Sequence, residues 1–129
     1  IRIPLRVDFI VVTSYGTKAK SSGKVKLVSD LTEPVVGKDV LLVEDIVDSG
    51  LTVNYLVKTL AKRRPRSLKV CTLLSKPERR SIDVALEYVG FKIPNKFVVG
   101  YGLDYQQKYR NLPYLAALDQ ADEPEQETA

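Results

Sequence analysis

At 129 residues, with 44% hydrophobic and 28% charged residues, the chain has the size and composition of one soluble globular domain, with room for a single core. It has no run of about 18 apolar residues to span a membrane, and the absence of histidine excludes a Ser-His-Asp triad and any His-ligated metal. The net charge of +4 conceals an asymmetry: Asp119, Asp122, Glu123, Glu125 and Glu127 all fall in the last eleven residues, and setting those five acids aside leaves the rest at +9. Such a basic body suits either nucleic acid or a substrate carrying several phosphates.

In chain order, the latter half of Ile1 to Val12, Val7-Asp-Phe-Ile-Val-Val12, reads as a strand. Thr13 to Ser22 is polar, contains Gly16, Lys18 and Lys20, and is followed by Gly23 and Lys24. It reads as a mobile loop or an exposed ribbon, with Val25 to Val28 as the returning strand. Leu31 to Lys38, with Pro34 and Gly37, is a connection.

The chain is organised around Val40-Leu-Leu-Val-Glu-Asp-Ile-Val-Asp-Ser-Gly-Leu-Thr52. Val40 to Val43 is the unbroken apolar run of a strand buried on both faces, and Glu44 and Asp45 follow where that strand is expected to emerge from the core. Val53, Leu56, Val57 and Leu60 then recur at i, i+3, i+4 and i+7, which predicts a helix with one apolar face. Open α/β sheets bind ligands beyond the carboxyl ends of their strands, where this turn falls. Ser49, Gly50 and Thr52 stand at a helix N-terminus, whose free N–H groups and dipole favour an anion such as phosphate. Adjacent carboxylates at Glu44 and Asp45 suit magnesium or the hydroxyls of a sugar. The combination implies a phosphorylated sugar with its metal; the plainer alternative is an Asp or Ser that only caps the helix.

Beyond the helix, Lys62-Arg-Arg-Pro-Arg66 is the densest basic cluster, placed to complement the helix dipole and solvate the surface. Ser67 to Leu74 is the next strand, and a strand–helix–strand unit of this length predicts a right-handed parallel crossover. Its Cys71 reads as a buried, reduced thiol; with no second cysteine there is no intramolecular disulfide, which fits the cytoplasm. Lys76 lies just past the strand and taken alone is a solvated charge. Pro77 to Ser81 is a turn, with Arg79 and Arg80 expected to face solvent. Tyr88 to Phe91 and Lys96 to Val99 are short strands around a Pro94-Asn95 turn, and a Gly100-Tyr-Gly102 turn precedes Leu103-Asp-Tyr105. Taken singly, Phe97 reads as core and Asp104 and Arg110 as surface charges. The acidic end has no apolar periodicity, so a domain over 1–118 and a disordered tail over 119–129 are expected.

Val43-Glu-Asp-Ile-Val-Asp-Ser-Gly-Leu-Thr52 resembles the phosphoribosyl-diphosphate (PRPP) binding motif of type I phosphoribosyltransferases, in the version of the hypoxanthine-guanine branch. The resemblance runs through Ser14-Tyr-Gly16, Leu73-Leu-Ser-Lys76 and Val89 to Tyr105 and ends at Tyr109-Arg110, several motifs in one order and spacing. It implies an α/β fold: a Rossmann-like parallel sheet flanked by helices, with a small hood and a flexible loop carrying Ser14 and Tyr15 that closes over the reacting centre. The implied activity is purine salvage, transferring the phosphoribosyl group of PRPP to hypoxanthine or guanine to give IMP or GMP and diphosphate, with Mg2+. The implied PRPP residues are Glu44, Asp45, Asp48, Ser49, Gly50, Leu51 and Thr52, with Asp48 also the catalytic base; Leu51 replaces the lysine of some relatives but keeps its N–H. Lys76, Phe97, Val98 and Asp104 are implied for the purine: a lysine ammonium is donor-only and matches a 6-oxo group, Phe97 stacks on the ring, and the Val98 main chain reads its edge. Which 6-oxopurine is preferred depends on backbone carbonyls around Val98 to Asp104. Arg110 is implied on diphosphate, and Glu44, Asp45 and Asp104 on metal. Relatives assemble as dimers or tetramers, so a homodimer or homotetramer is expected.

Members of the family carry a helix, a strand and a lysine-glycine diphosphate loop ahead of a segment like Val7 to Val12, so the domain is expected to be incomplete at its N-terminus. A sheet without that strand exposes its neighbour's edge. The competing reading is a non-catalytic PRPP-sensing regulator binding RNA or DNA through the basic surface; Asp48 discriminates, because a regulator needs no general base. Neither a Gly-x-x-x-x-Gly-Lys-Ser/Thr nor a Gly-x-Gly-x-x-Gly motif occurs, which argues against other nucleotide-binding α/β domains.

Overall fold

The computed structural model describes the backbone of residues 1–17 and 20–118, and the side chains of these except 14–24. The acidic tail expected over 119–129 lies outside the described residues, as do the side chains of Ser14 and Tyr15.

The middle of the chain folds as its hydrophobic periodicity predicts. Strand β3 (Asp39–Val47) leads through a three-residue turn into helix α1 (Leu51–Ala61), which returns to strand β4 (Ser67–Ser75). β3 and β4 are parallel, with Leu42 against Val70 and Val47 against Ser75, and β5 (Tyr88–Lys92) adds to β4, giving a three-stranded parallel sheet in the order β3-β4-β5. The helix puts Val53, Leu56 and Leu60 onto the sheet, where they form the core with Leu42, Val47 and Val70; Val57 lies at its margin. Full burial contributes about 1.5–3 kcal/mol per side chain of this size.

α1 is the one α-helix among the described residues, so one face of the sheet is covered and the other is not. Leu41 and Val43, on the uncovered face, are 49% and 67% exposed, and the far edge of β3 is unpaired in the sheet order. β3 is thus a half-covered edge strand here, in contrast to the fully buried strand expected from its apolar run.

Two smaller antiparallel units flank this layer. β1 (Val11–Thr17) and β2 (Lys20–Ser29) form the exposed ribbon, and the ladder carries through the backbone of Ser14 and Tyr15 to Thr17. The strand begins four residues later than its apolar pattern predicts. Asp8 interrupts it: its carboxylate accepts from the N–H groups of Phe9, Thr32 and Glu33 and from the Thr32 hydroxyl, fastening this stretch to the 30–33 connection. β6 (Val98–Val99) pairs with β7 (Ala116–Ala117), a strand that no alternation in the sequence marks.

Candidate functional site

The turn between β3 and α1 leaves the N–H groups of Thr52 and Val53 without a partner among the described residues. Gly50 is the N-cap residue at φ 87°, a left-handed conformation that L side chains rarely adopt. A Cβ there would lie 2.7 Å from the Ile82 carbonyl oxygen and 3.1 Å from Arg80 Cδ, so only glycine fits. No side chain caps the helix and no acid stands in its first turn. Ser49 Oγ reaches only 3.4 Å from the Leu51 N–H, and the Asp48 carboxylate points elsewhere. Asp48 therefore caps nothing, Ser49 takes only the Leu51 N–H, and the Thr52 and Val53 N–H groups and the helix dipole remain available to an anion.

What holds this turn comes from beyond β4. The Ser49 carbonyl accepts from the N–H groups of Ser81 and Ile82, at 3.0 and 3.1 Å, and from the Ser81 hydroxyl at 3.2 Å. Arg79, in a 3₁₀ turn over Pro77–Arg79, donates from Nε to Asp48 Oδ1 at 3.1 Å. Arg80 is half-buried and donates to Ser75 Oγ at 2.8 Å. Arg79 is exposed as expected but is paired with Asp48, whereas the expectation that Arg80 faces solvent is corrected: it is half-buried and bonded to Ser75 of β4. No local pattern announces this, because it arises from two segments about 30 residues apart meeting at the sheet's end.

The expectation that Glu44 and Asp45 stand where the strand emerges from the core is corrected: both lie within β3, which runs on to Val47. Strand alternation sends neighbours to opposite faces. Glu44 shares the face of buried Leu42 and is half-buried; Asp45 is exposed, and its Oδ1 accepts from the Ile46 N–H at 2.6 Å. Burial, and secondarily the charge of Asp45, raise the Glu44 pKa above the ordinary glutamate value. Its ionised form is thus costly in the folded chain and gains most from a ligand. Among the described residues, no three acidic, His or Cys side chains gather as a metal site, so Glu44, Asp45 and Asp104 do not form one together. One or two exposed carboxylates with substrate oxygens do fit magnesium, which demands hard ligands and keeps several from water or phosphate.

Lys76 follows β4 directly, and its N–H donates to the Val47 carbonyl at 3.0 Å, which sets it beside the Asp48 turn. It is only 8% exposed, in contrast to the solvated charge its position alone suggests, and no carboxylate pairs with it among the described residues. Its stem is buried while its ammonium is not among the buried, unpartnered polar atoms, so the charged end stays open to an acceptor from a ligand.

Phe97 and Val98 are half-buried, and Phe97 meets the edge of Tyr105 with ring centroids 5.7 Å apart and an interplanar angle of 77°. The following loop closes on itself. Gly100 and Leu103 exchange backbone hydrogen bonds, and Asp104 accepts from the Gln107 N–H at 2.8 Å and pairs with Arg110 at 2.9 Å. Arg110 also donates to the Gly102 carbonyl at 2.8 Å and to Gln107 at 3.1 Å. The structure therefore brings Asp48, Ser49 to Thr52 and Lys76 together at one end of the sheet, while the bonds of Asp104 and Arg110 stay within residues 102–110.

The basic cluster is partly consumed: Arg63 pairs with Asp30 and Arg66 with Asp39, whose carboxylate also accepts from the Ser67 hydroxyl. A cavity of about 520 Å³ opens beside Asp39, Ser67, Lys69 and Tyr88, but these residues stand at the amino ends of the strands, away from the turn.

Residues 1–106 match the model of the phosphoribosyl transferase domain. A hypoxanthine-guanine phosphoribosyltransferase of Mycobacterium avium is 54% identical over 119 residues, covering 92% of this chain and 59% of the relative. A hypoxanthine phosphoribosyltransferase of Salmonella typhimurium is 50% identical over 123 residues, covering 95% of this chain and 69% of the relative. A crystal structure of a hypoxanthine-guanine phosphoribosyltransferase from Bacillus anthracis superposes with a TM-score of 0.86 at 50% identity, covering 92% of this chain and 70% of that one. The chain thus spans about three fifths of the length of the mycobacterial relative.

Proposed function

The chain belongs to the phosphoribosyl transferase family, and on that premise we propose that the protein it forms is a hypoxanthine-guanine phosphoribosyltransferase, joining a 6-oxopurine to PRPP with release of diphosphate. The observation that carries this reading is the juxtaposition of a helix N-terminus without a side-chain cap on its N-cap residue, a carboxylate at Asp48 and a lysine, Lys76, whose stem is buried and which pairs with no carboxylate among the described residues. An anion site and a donor-only group for a 6-oxo oxygen, with a proton acceptor between them, are what this transfer needs.

In this reading the N–H groups of Ser49 to Thr52 bind the 5′-phosphate and fix the sugar. Glu44 and Asp45 would take the ribose hydroxyls and the magnesium that PRPP carries, and Asp104 would hold a second magnesium; the metal would supply neutralisation of the diphosphate. Arg110 leaves its pair with Asp104 to fork onto the diphosphate. Lys76 donates to the purine 6-oxygen, Phe97 stacks on the ring and the Val98 main chain reads its edge. The bond from carbon 1 of the ribose to the diphosphate oxygen breaks as the purine nitrogen forms its own bond to that carbon; Asp48 accepts the ring proton so released. The ribbon of β1 and β2, through Ser14 and Tyr15, covers the centre and excludes water. No described helix is long and apolar enough to cross a membrane. A cytoplasmic homodimer or homotetramer accords with the single thiol and with the uncovered sheet face.

The test is a spectrophotometric assay of the full-length protein with PRPP and magnesium. Hypoxanthine and guanine are converted and adenine is not, because an ammonium repels a 6-amino group's hydrogens. Faster turnover of adenine than of either oxopurine overturns the assignment.

A further inference from the structure

We infer that Arg79 is a positioning residue for this transfer: its guanidinium pins one oxygen of the Asp48 carboxylate and leaves the other to accept the purine proton. The inference rests on the phosphoribosyltransferase reading, and the reading itself assigns Arg79 no part.

Asp48 sits in a turn where it caps nothing, and among the described residues the one hydrogen bond its carboxylate receives is from Arg79 Nε, 3.1 Å from Oδ1. No other hydrogen bond fixes its side-chain orientation among the described residues. The donor approaches through Nε onto a single oxygen, so Oδ2 receives no bond from Arg79.

Both ends of the bridge belong to one frame. Asp48 follows β3 directly and Arg79 lies four residues past the end of β4, its neighbour in the sheet, whose Ser75 stands opposite Val47. The turn that delivers Arg79 is fixed on both sides. The Arg79 N–H donates to the Lys76 carbonyl at 3.2 Å and the Arg80 N–H to that of Pro77 at 3.1 Å, while Ser81 and Ile82 donate to Ser49. The lysine proposed to read the purine and the arginine that holds the base are therefore ends of one short, bonded segment. That segment orients proton acceptor and base-binding donor relative to each other.

The ion pair is about half exposed, 48% for the arginine and 42% for the aspartate side chain, and pairs so solvated add little to stability. A large effect of its removal on turnover with little effect on folding is thus the signature of positioning.

The experiment measures kcat, the KM of PRPP and of hypoxanthine, and melting temperature for the full-length enzyme and for Arg79→Ala, Arg79→Lys, Asp48→Asn and the Arg79→Ala/Asp48→Asn double variant. Arg79→Ala should lower kcat by about 3- to 10-fold, below the hundredfold that an ångström of misplacement costs, with the PRPP KM and the melting temperature nearly unchanged. Arg79→Lys should recover most of the loss, because a shorter cation still pairs. In the Asp48→Asn background Arg79→Ala should cost nothing further, since its route is gone. Arg79→Gln, with a similar stem and no charge, gives the same readout should alanine disturb the turn. A kcat for Arg79→Ala equal to or above that of the wild type, or an equal loss in both backgrounds, overturns the inference while the enzyme reading stands. A wild type without transferase activity overturns that reading and this inference with it.

Discussion

In the turn after β3 the Thr52 and Val53 N–H groups have no partner among the described residues, whereas in the loop after β6 the carboxylate of Asp104 and the guanidinium of Arg110 are bound to each other. The first region is held open by its surroundings: the Ser49 carbonyl takes three donors from Ser81 and Ile82, and Gly50 packs against the Ile82 carbonyl. The second satisfies its own charges, and a ligand entering it must exchange bonds already made. A rigid frame around unsatisfied donors binds an anion without rearrangement, which is how preorganised sites avoid the cost of ordering. A self-paired loop starts from a lower-energy unliganded state and gives up part of its binding energy.

The sharpest way to break the comparison is at the base. Asp48→Asn keeps the shape of the turn and its backbone donors but cannot accept a proton, so kcat for nucleotide synthesis should fall by ~10²–10⁴. PRPP affinity should stay within a few-fold, because Ser49 to Thr52 still present their N–H groups. A kcat at the wild-type value in steady-state kinetics would place the base elsewhere and reduce the turn to a phosphate cradle.

Glycine substitutions probe the two regions on equal terms. Gly50 and Gly102 both have positive φ, 87° and 94°, but a Cβ at Gly50 would strike backbone and one at Gly102 would meet nothing within 4 Å. Gly102→Ala should therefore cost only the conformational strain, about 1–3 kcal/mol. Gly50→Ala should cost more than that and should also weaken PRPP binding, as the turn is pushed off Ile82. Equal melting temperatures for the two variants would show that the frame around Gly50 yields easily.

The smallest expected effects have opposite signs. Glu44 has a raised pKa through burial, so the folded chain binds its proton more tightly than the unfolded chain does. Stability is then lost as pH rises from the ordinary glutamate value through the raised one, and stays lower above it. Glu44→Gln should remove that slope and raise the melting temperature slightly at neutral pH, while weakening PRPP binding. Asp104→Asn should do the reverse to stability, lowering it by less than ~1 kcal/mol, because the Asp104–Arg110 pair is partly solvated. Thermal melts of both variants across pH 4 to 8, a window around the carboxylate range, check the signs; a stabilising Asp104→Asn would mean that the pair is a burden on the free loop.

Much of the first region was legible in the residues because its signals are local. The apolar run over Val40 to Val43, the small residues from Ser49 to Thr52 and the helical spacing of Val53, Leu56 and Leu60 act within one strand or one turn, and β3, α1 and β4 appear within a few residues of where they predict. The order of motifs likewise carried the family. Tertiary structure alone decided that Lys76 is buried, that Arg79 holds Asp48 and that Asp104 engages Arg110. Each depends on where a side chain or segment comes to rest in space, and a residue's type carries no record of the partner that folding will bring to it. Strand alternation is a local rule, yet the extension of β3 to Val47 that sends Glu44 and Asp45 to opposite faces was set by pairing with β4. Hydrogen bonds to a neighbouring strand carried the ladder past the end of the apolar run, because a backbone ladder asks for N–H and C=O groups and is indifferent to whether the side chain is Val or Glu.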